Sequence, residues 1–232
     1  MNIFKWILIL TIAHSNQVVA KECVILLHGL ARSNHSMEKL AKALNDSGYL
    51  TVNEGYPSTQ FKIDKLANDA ITKALARCPK EATIHFVTHS MGGILVRQYL
   101  HSNAIKNIGR VVMLGPPNKG SQVVDKLHKV PGFKLINGPA GMQLGTEEGS
   151  IPNQLGPADY EVGIIAGTRS INLILSSMLP NTDDGKVSVE NTKLEGMSDH
   201  IELSVTHPFI MKNKKVIWQV IYFLKNGTFK KG

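Results

Sequence analysis

The chain has 232 residues, 43% of them apolar and 19% charged, and a formal net charge of +8. That length supports one well-buried core and is short for two, so a single domain is expected. A basic surplus favours anionic lipid surfaces or nucleic acid, but the lysines at 212, 214, 215, 225, 230 and 231 gather near the C-terminus. This reads as a solvated basic face and argues against a nucleic-acid partner.

The first twenty residues stand apart. Lys5 precedes the apolar run 6–13, and Val18-Val19-Ala20 offers small residues at a cleavage site, the pattern of a secretory signal peptide over residues 1–20. A retained membrane anchor is the alternative. A spanning helix needs about 20 apolar residues, however, and His14, Ser15, Asn16 and Gln17 interrupt this run early. Residues 21–232 then form the mature domain, in a secreted or periplasmic setting.

Short apolar runs rich in β-branched residues alternate with helical patterns from there on, the signature of βαβ units and a mostly parallel sheet with helices on both faces. A strand is predicted over 23–27, ending in His28-Gly29. Met37, Leu40, Ala41 and Leu44 follow at i, i+3, i+4 and i+7 on one helical face, with Gly48 as the stop. Residues 49–52 give a second strand. Ile63, Leu66, Ala67, Ala70, Ile71, Ala74 and Leu75 line a helix that closes before Pro79, since proline cannot continue a helix.

The strand predicted over 83–88 leads straight into His89-Ser90-Met91-Gly92-Gly93, and Ile94, Leu95, Val96 and Tyr99 continue as a buried helix. Residues 116–157 are rich in Gly and Pro with short apolar pieces, which makes them a candidate lid or cap over a site. Strands over 111–114, 162–166 and 201–205 bring the expected total to about six. A last helix places Ile217, Val220, Ile221 and Leu224 on one face.

Cys23 and Cys78 are the only cysteines. Cys23 begins one predicted strand and Cys78 ends the helix feeding another, so both should lie at the same edge of a parallel sheet. A bridge between them is expected, because export would place them where disulfides persist; two buried thiols are the alternative.

A serine hydroxyl is a poor nucleophile at neutral pH, so a hydrolase must expose it, deprotonate it through a base and stabilise the oxyanion that forms. The strand, sharp turn and helix around Ser90 match a nucleophile elbow, with Gly92 as a small neighbour. The strict G-x-S-x-G pattern has Gly where this chain has Thr88, and the larger residue should crowd the turn. A serine in an ordinary helix-start turn is the plainer reading. His28-Gly29-Leu30 ends the first strand, where a backbone N–H joins that of the residue after the nucleophile. Leu30 and Met91 are thus the candidate oxyanion donors, through their amides, and His28 reads as a packing histidine that hydrogen-bonds the loop.

The acid and base should follow in the order Ser, Asp or Glu, His. Asp184, directly before Gly185, is favoured as the acid on turn geometry, while Asp183 reads as a solvated loop carboxylate and Asp159 and Asp199 precede strands. His207 lies at the C-terminal end of its predicted strand, where ligands meet open α/β sheets; His200 lies at the opposite edge and is the weaker candidate for the base. His85, His101 and His128 read as structural or solvated.

With these residues in view, the chain resembles the secreted bacterial lipases and esterases of the α/β-hydrolase superfamily, including small single-domain lipases with a six-stranded sheet. The same outline is similar to the deacylase domain that acts on lipid-linked inositol. The resemblance is carried by His28-Gly29-Leu30, Val87-Thr88-His89-Ser90-Met91-Gly92-Gly93, Asp184-Gly185-Lys186-Val187 and Thr206-His207. It implies an α/β-hydrolase fold and hydrolysis of carboxylic, lipid-like esters, with Ser90 attacking the carbonyl, His207 as base and Asp184 orienting the imidazole. The implied partners are an ester or lipid substrate and a membrane surface. No cofactor is implied, and no carboxylate cluster has the spacing of a calcium site, so no metal is expected.

A thioesterase, an acyltransferase or a phospholipid deacylase on the same triad is the nearest alternative, since the pocket selects donor and acceptor; a non-catalytic lipid-binding protein is the more distant one. Ile171, Leu173, Ile174, Leu175, Met178 and Leu179 belong either to the core or to an acyl-chain site.

Overall fold

The computed structural model describes residues 22–180 and 182–231; the signal-peptide reading of residues 1–20 lies outside them. β1 (Glu22–Leu27) is followed by a 3-10 turn (Asn34–Met37), α1 (Glu38–Asp46), β2 (Leu50–Glu54), α2 (Ile63–Leu75), β3 (Thr83–His89), α3 (Met91–Ser102) and β4 (Ile108–Leu114). Three short helices, α4 (Gln122–Leu127), α5 (Phe133–Gly141) and α6 (Ile151–Gln154), precede β5 (Val162–Gly167). Two more, α7 (Leu173–Ser176) and α8 (Val189–Thr192), precede β6 (Asp199–Leu203), and a second 3-10 turn (His207–Lys212) leads into α9 (Lys214–Asn226).

The strands form one six-stranded sheet in the order β2-β1-β3-β4-β5-β6, and each of its pairings is parallel. Parallel neighbours require a crossover between strands, which is why helices separate them in sequence and cover both faces. Alternate residues of each strand divide between the two faces. Cys23, Ile25, Leu27, Phe86, Met113 and Ile164 pack toward α2 and α3 with Leu66, Ile71 and Leu95. Val24, Leu26, Val87, Val112, Leu114 and Ile165 pack toward α1 and α9 with Leu40, Leu44, Val220 and Phe223.

The last strand lies two residues earlier than its hydrophobic run suggests. Asp199 and His200 pair with Gly163 and Ile164, a place where polar residues are tolerated because β6 is an edge strand with one side free. β4 also begins earlier, at Ile108, and Gly109 and Arg110 interrupt its apolar pattern. Cys23 and Cys78 are joined by a disulfide with their Cα atoms 5.9 Å apart, tying the start of β1 to the turn after α2.

Candidate active site

Ser90 stands alone between β3 and α3 with φ +53° and ψ −124°. A left-handed conformation at a residue with a side chain stores on the order of 1–3 kcal/mol, held here by the strand and helix on either side. Its N–H donates to the Leu114 carbonyl at 2.9 Å, fixing the turn to the end of β4. The helix leaves at close quarters: a Cβ on Gly92 would fall 2.6 Å from the Leu27 carbonyl oxygen, and one on Gly93 would fall 3.3 Å from Thr88 Oγ1. Gly93 thus leaves space beside Met113, Pro116 and Thr88, and Thr88 is fully buried there.

His207 opens the second 3-10 turn, four residues beyond β6. Its Nε2 lies 3.0 Å from Ser90 Oγ and its Nδ1 lies 2.7 Å from Asp184 Oδ2. A carboxylate only accepts, so Nδ1 carries the proton and Nε2 is left to accept from the serine hydroxyl. Asp184 Oδ1 accepts the N–H groups of Lys186 and Val187 at 3.0 and 2.9 Å, and the Asp184 carbonyl accepts the His207 N–H at 3.0 Å. Both carboxylate oxygens are thus engaged, and the group is buried.

Asp183 is not the solvated carboxylate expected. It is buried, with Oδ1 accepting the Gly185 N–H at 2.7 Å and Oδ2 accepting the Ser176 hydroxyl at 2.6 Å, which shapes the turn that presents Asp184. The remaining rivals lie apart from the serine. His200 Nε2 meets the Thr192 hydroxyl at 3.0 Å, His85 Nδ1 accepts the Arg110 N–H at 2.8 Å, and the Asp199 oxygens accept the N–H groups of His200 and Phe229.

Leu30 lines the cleft beside Ser90, and Met91 is the first residue of α3. Among the described residues neither backbone N–H has a protein acceptor, so both remain able to donate to a bound oxygen. The loop after β1 is braced from below. His28 donates from Nδ1 to the Gly29 carbonyl at 2.8 Å and stacks on Tyr56 with ring centroids 4.0 Å apart. The Tyr56 hydroxyl donates to the His28 carbonyl. Ser58 Oγ accepts the N–H of Ala31 at 3.1 Å, a residue itself at φ +53°. Burial lowers the His28 pKa, which keeps the ring neutral and fit for this bracing.

The cleft has a volume of about 460 Å³. Pro117, Val123, Val124, Phe133, Ile136 and Leu144, all from the 116–157 segment, form much of its wall. Arg97 ties that segment to α3 by donating to the carbonyls of Asn118, Pro152 and Gly156. The apolar stretch 171–179 divides between the two roles considered for it. Ile171 and Leu175 line the cleft, Leu173 and Ile174 are 79% and 72% exposed beside it, and Leu179 is buried.

No protein-family model and no curated protein matches the chain, but solved structures do. The mature lipase BlEst2 of Bacillus licheniformis aligns with a TM-score of 0.66 at 18% identity, over 89% of this chain and 93% of that one. The esterase Pf2001 of Pyrococcus furiosus aligns at 0.58 and 19% identity, over 89% and 83%. This is the α/β-hydrolase fold. A third protein with the fold, the phospholipase PlaB of Legionella pneumophila, aligns with a TM-score of 0.69 at 16% identity over 90% of this chain, which spans only 59% of its length.

Within the α/β-hydrolase fold, sequence reasoning missed His89, which lies next to the serine and lines the same cleft. Its Nε2 donates to the His207 carbonyl at 3.1 Å. Burial, and then the neighbouring His207, push its pKa well below the usual histidine value. The motif contained this residue, but only the return of the 207 loop shows what it bonds. Tyr56 and Ser58 were missed for the same reason, since no periodicity marks a loop side chain.

Proposed function

We propose that the protein is an exported serine hydrolase that cleaves carboxylic esters with an apolar acyl group through an acyl-enzyme. It is a single domain over residues 21–232, with residues 116–157 as a cap over the cleft. The observation that carries this reading is the unbroken chain from Ser90 Oγ to His207 at 3.0 Å and from His207 to Asp184 at 2.7 Å, beside a cleft with apolar walls. The lipases and esterases that share the fold support it further. Export is supported by the disulfide, because such bonds persist in oxidising compartments.

In the reaction, Ser90 Oγ bonds to the ester carbonyl carbon as its proton passes to His207 Nε2, and the resulting oxyanion accepts from the N–H groups of Leu30 and Met91. The C–O bond to the alcohol breaks and His207 gives its proton to the departing oxygen. Water then attacks the acyl-enzyme, losing a proton to His207, which returns it to Ser90 as the carboxylic acid leaves. Asp184 holds the imidazole in the required tautomer and stabilises its charge.

A series of p-nitrophenyl esters of rising chain length tests this. Medium and long acyl chains should be preferred over acetate, and S90A or H207A should lower kcat on the order of 10⁴-fold or more. Unchanged turnover by S90A overturns the proposal, and preference for acetate overturns its lipid-like part.

A further inference from the structure

The cleft beside Ser90 carries a charge imbalance that ester hydrolysis alone does not use. Two cations stand on its mostly apolar wall: Arg32, two residues past Leu30, and Lys186, two residues past Asp184. Arg32 is exposed, Lys186 reaches solvent from a partly buried position in the cleft, and neither forms an ion pair among the described residues. The single carboxylate on the cleft wall, Asp184, is already occupied by His207 and by the N–H groups of Lys186 and Val187. Partial burial lowers the Lys186 pKa, and Arg32 adds to the lowering against the pull of Asp184. Like charges held at one opening raise the free energy of the empty site, and a bound anion relieves this.

We infer that Arg32 and Lys186 receive a phosphate group on the alcohol portion of the ester, so that the substrate class is acylated glycerophosphates. The inference rests on the ester-hydrolase reading of the same site. The charge belongs to the alcohol because Val123, Val124, Phe133, Ile136 and Leu144 offer an acyl chain no group that could solvate an anion. Phosphate suits such a pair because its oxygens can accept from a planar guanidinium and an ammonium at once.

The experiment compares lysophosphatidylglycerol with the monoacylglycerol of the same acyl chain. Both are held below their micelle concentrations so that attraction of a basic protein to a lipid surface plays no part. The phosphate ester should show a kcat/KM at least about tenfold higher, which corresponds to one charge-assisted hydrogen bond, and the excess should shrink with added salt. The ratio of the two kcat/KM values should fall toward one in R32Q/K186Q. R32Q alone, exposed and remote from the Asp184 turn in sequence, should lower it in the same direction. Equal use of the two esters, or a ratio that both variants leave intact, overturns the inference while the ester-hydrolase reading stands. Hydrolysis of neither also overturns it, and loss of Ser90-dependent turnover of p-nitrophenyl esters as well overturns both.

Discussion

Asp184 illustrates how much depends on single atoms. Oδ2 meets the imidazole and Oδ1 anchors two backbone N–H groups of its own turn, so the turn and the proposed base share one carboxylate. Asp184→Asn keeps the size but removes the charge that stabilises the imidazolium and offers His207 the wrong tautomer. Steady-state kinetics should show kcat falling on the order of 10³- to 10⁴-fold with little change in KM; activity within tenfold of the unsubstituted protein contradicts the role. That Asp184 meets His207 while Asp183 does not agrees with the turn geometry, because a carboxylate before a turn glycine is a local pattern. The burial of Asp183 was not legible, because its partner Ser176 sits on a separate helix and nothing local marks the pairing. Thr88, expected to crowd the turn, packs there beside Gly93, which carries no Cβ to meet it.

At the scale of elements, the parts that periodicity marks were legible. α2 spans the predicted 63–75 and β1 nearly the predicted 23–27, because each carries an uninterrupted apolar pattern matched to its geometry. β4 and β6 begin earlier than predicted, where Arg110, Asp199 and His200 satisfy backbone pairing without apolar side chains. The 116–157 segment supplies much of the cleft wall, but its short helices were not legible, and α5 is broken at Gly138 and Pro139. The disulfide closes a 55-residue separation between β1 and the turn after α2. Its removal in C23A/C78A should cost about 2–4 kcal/mol, which lowers Tm by roughly 5–15 °C for a chain of this size. Calorimetry checks this, and an unchanged Tm shows that the bridge adds nothing to stability.

Across the whole molecule, one edge of the sheet gathers what separate stretches of sequence supply: Leu30 after β1, Ser90 after β3, Asp184 between β5 and β6, and His207 after β6. Parallel strands make this convergence possible because all their C-terminal ends face one way. The 3.0 Å approach of Ser90 and His207 joins residues 117 positions apart, and it is the contact on which the proposed chemistry depends. The most direct measurement is to treat the purified protein with a fluorophosphonate and locate the adduct by peptide mass spectrometry. The account predicts a single adduct on Ser90, formed far more slowly in H207A and absent in S90A. Labelling of S90A equal to that of the unsubstituted protein, or an adduct on another residue, would contradict it.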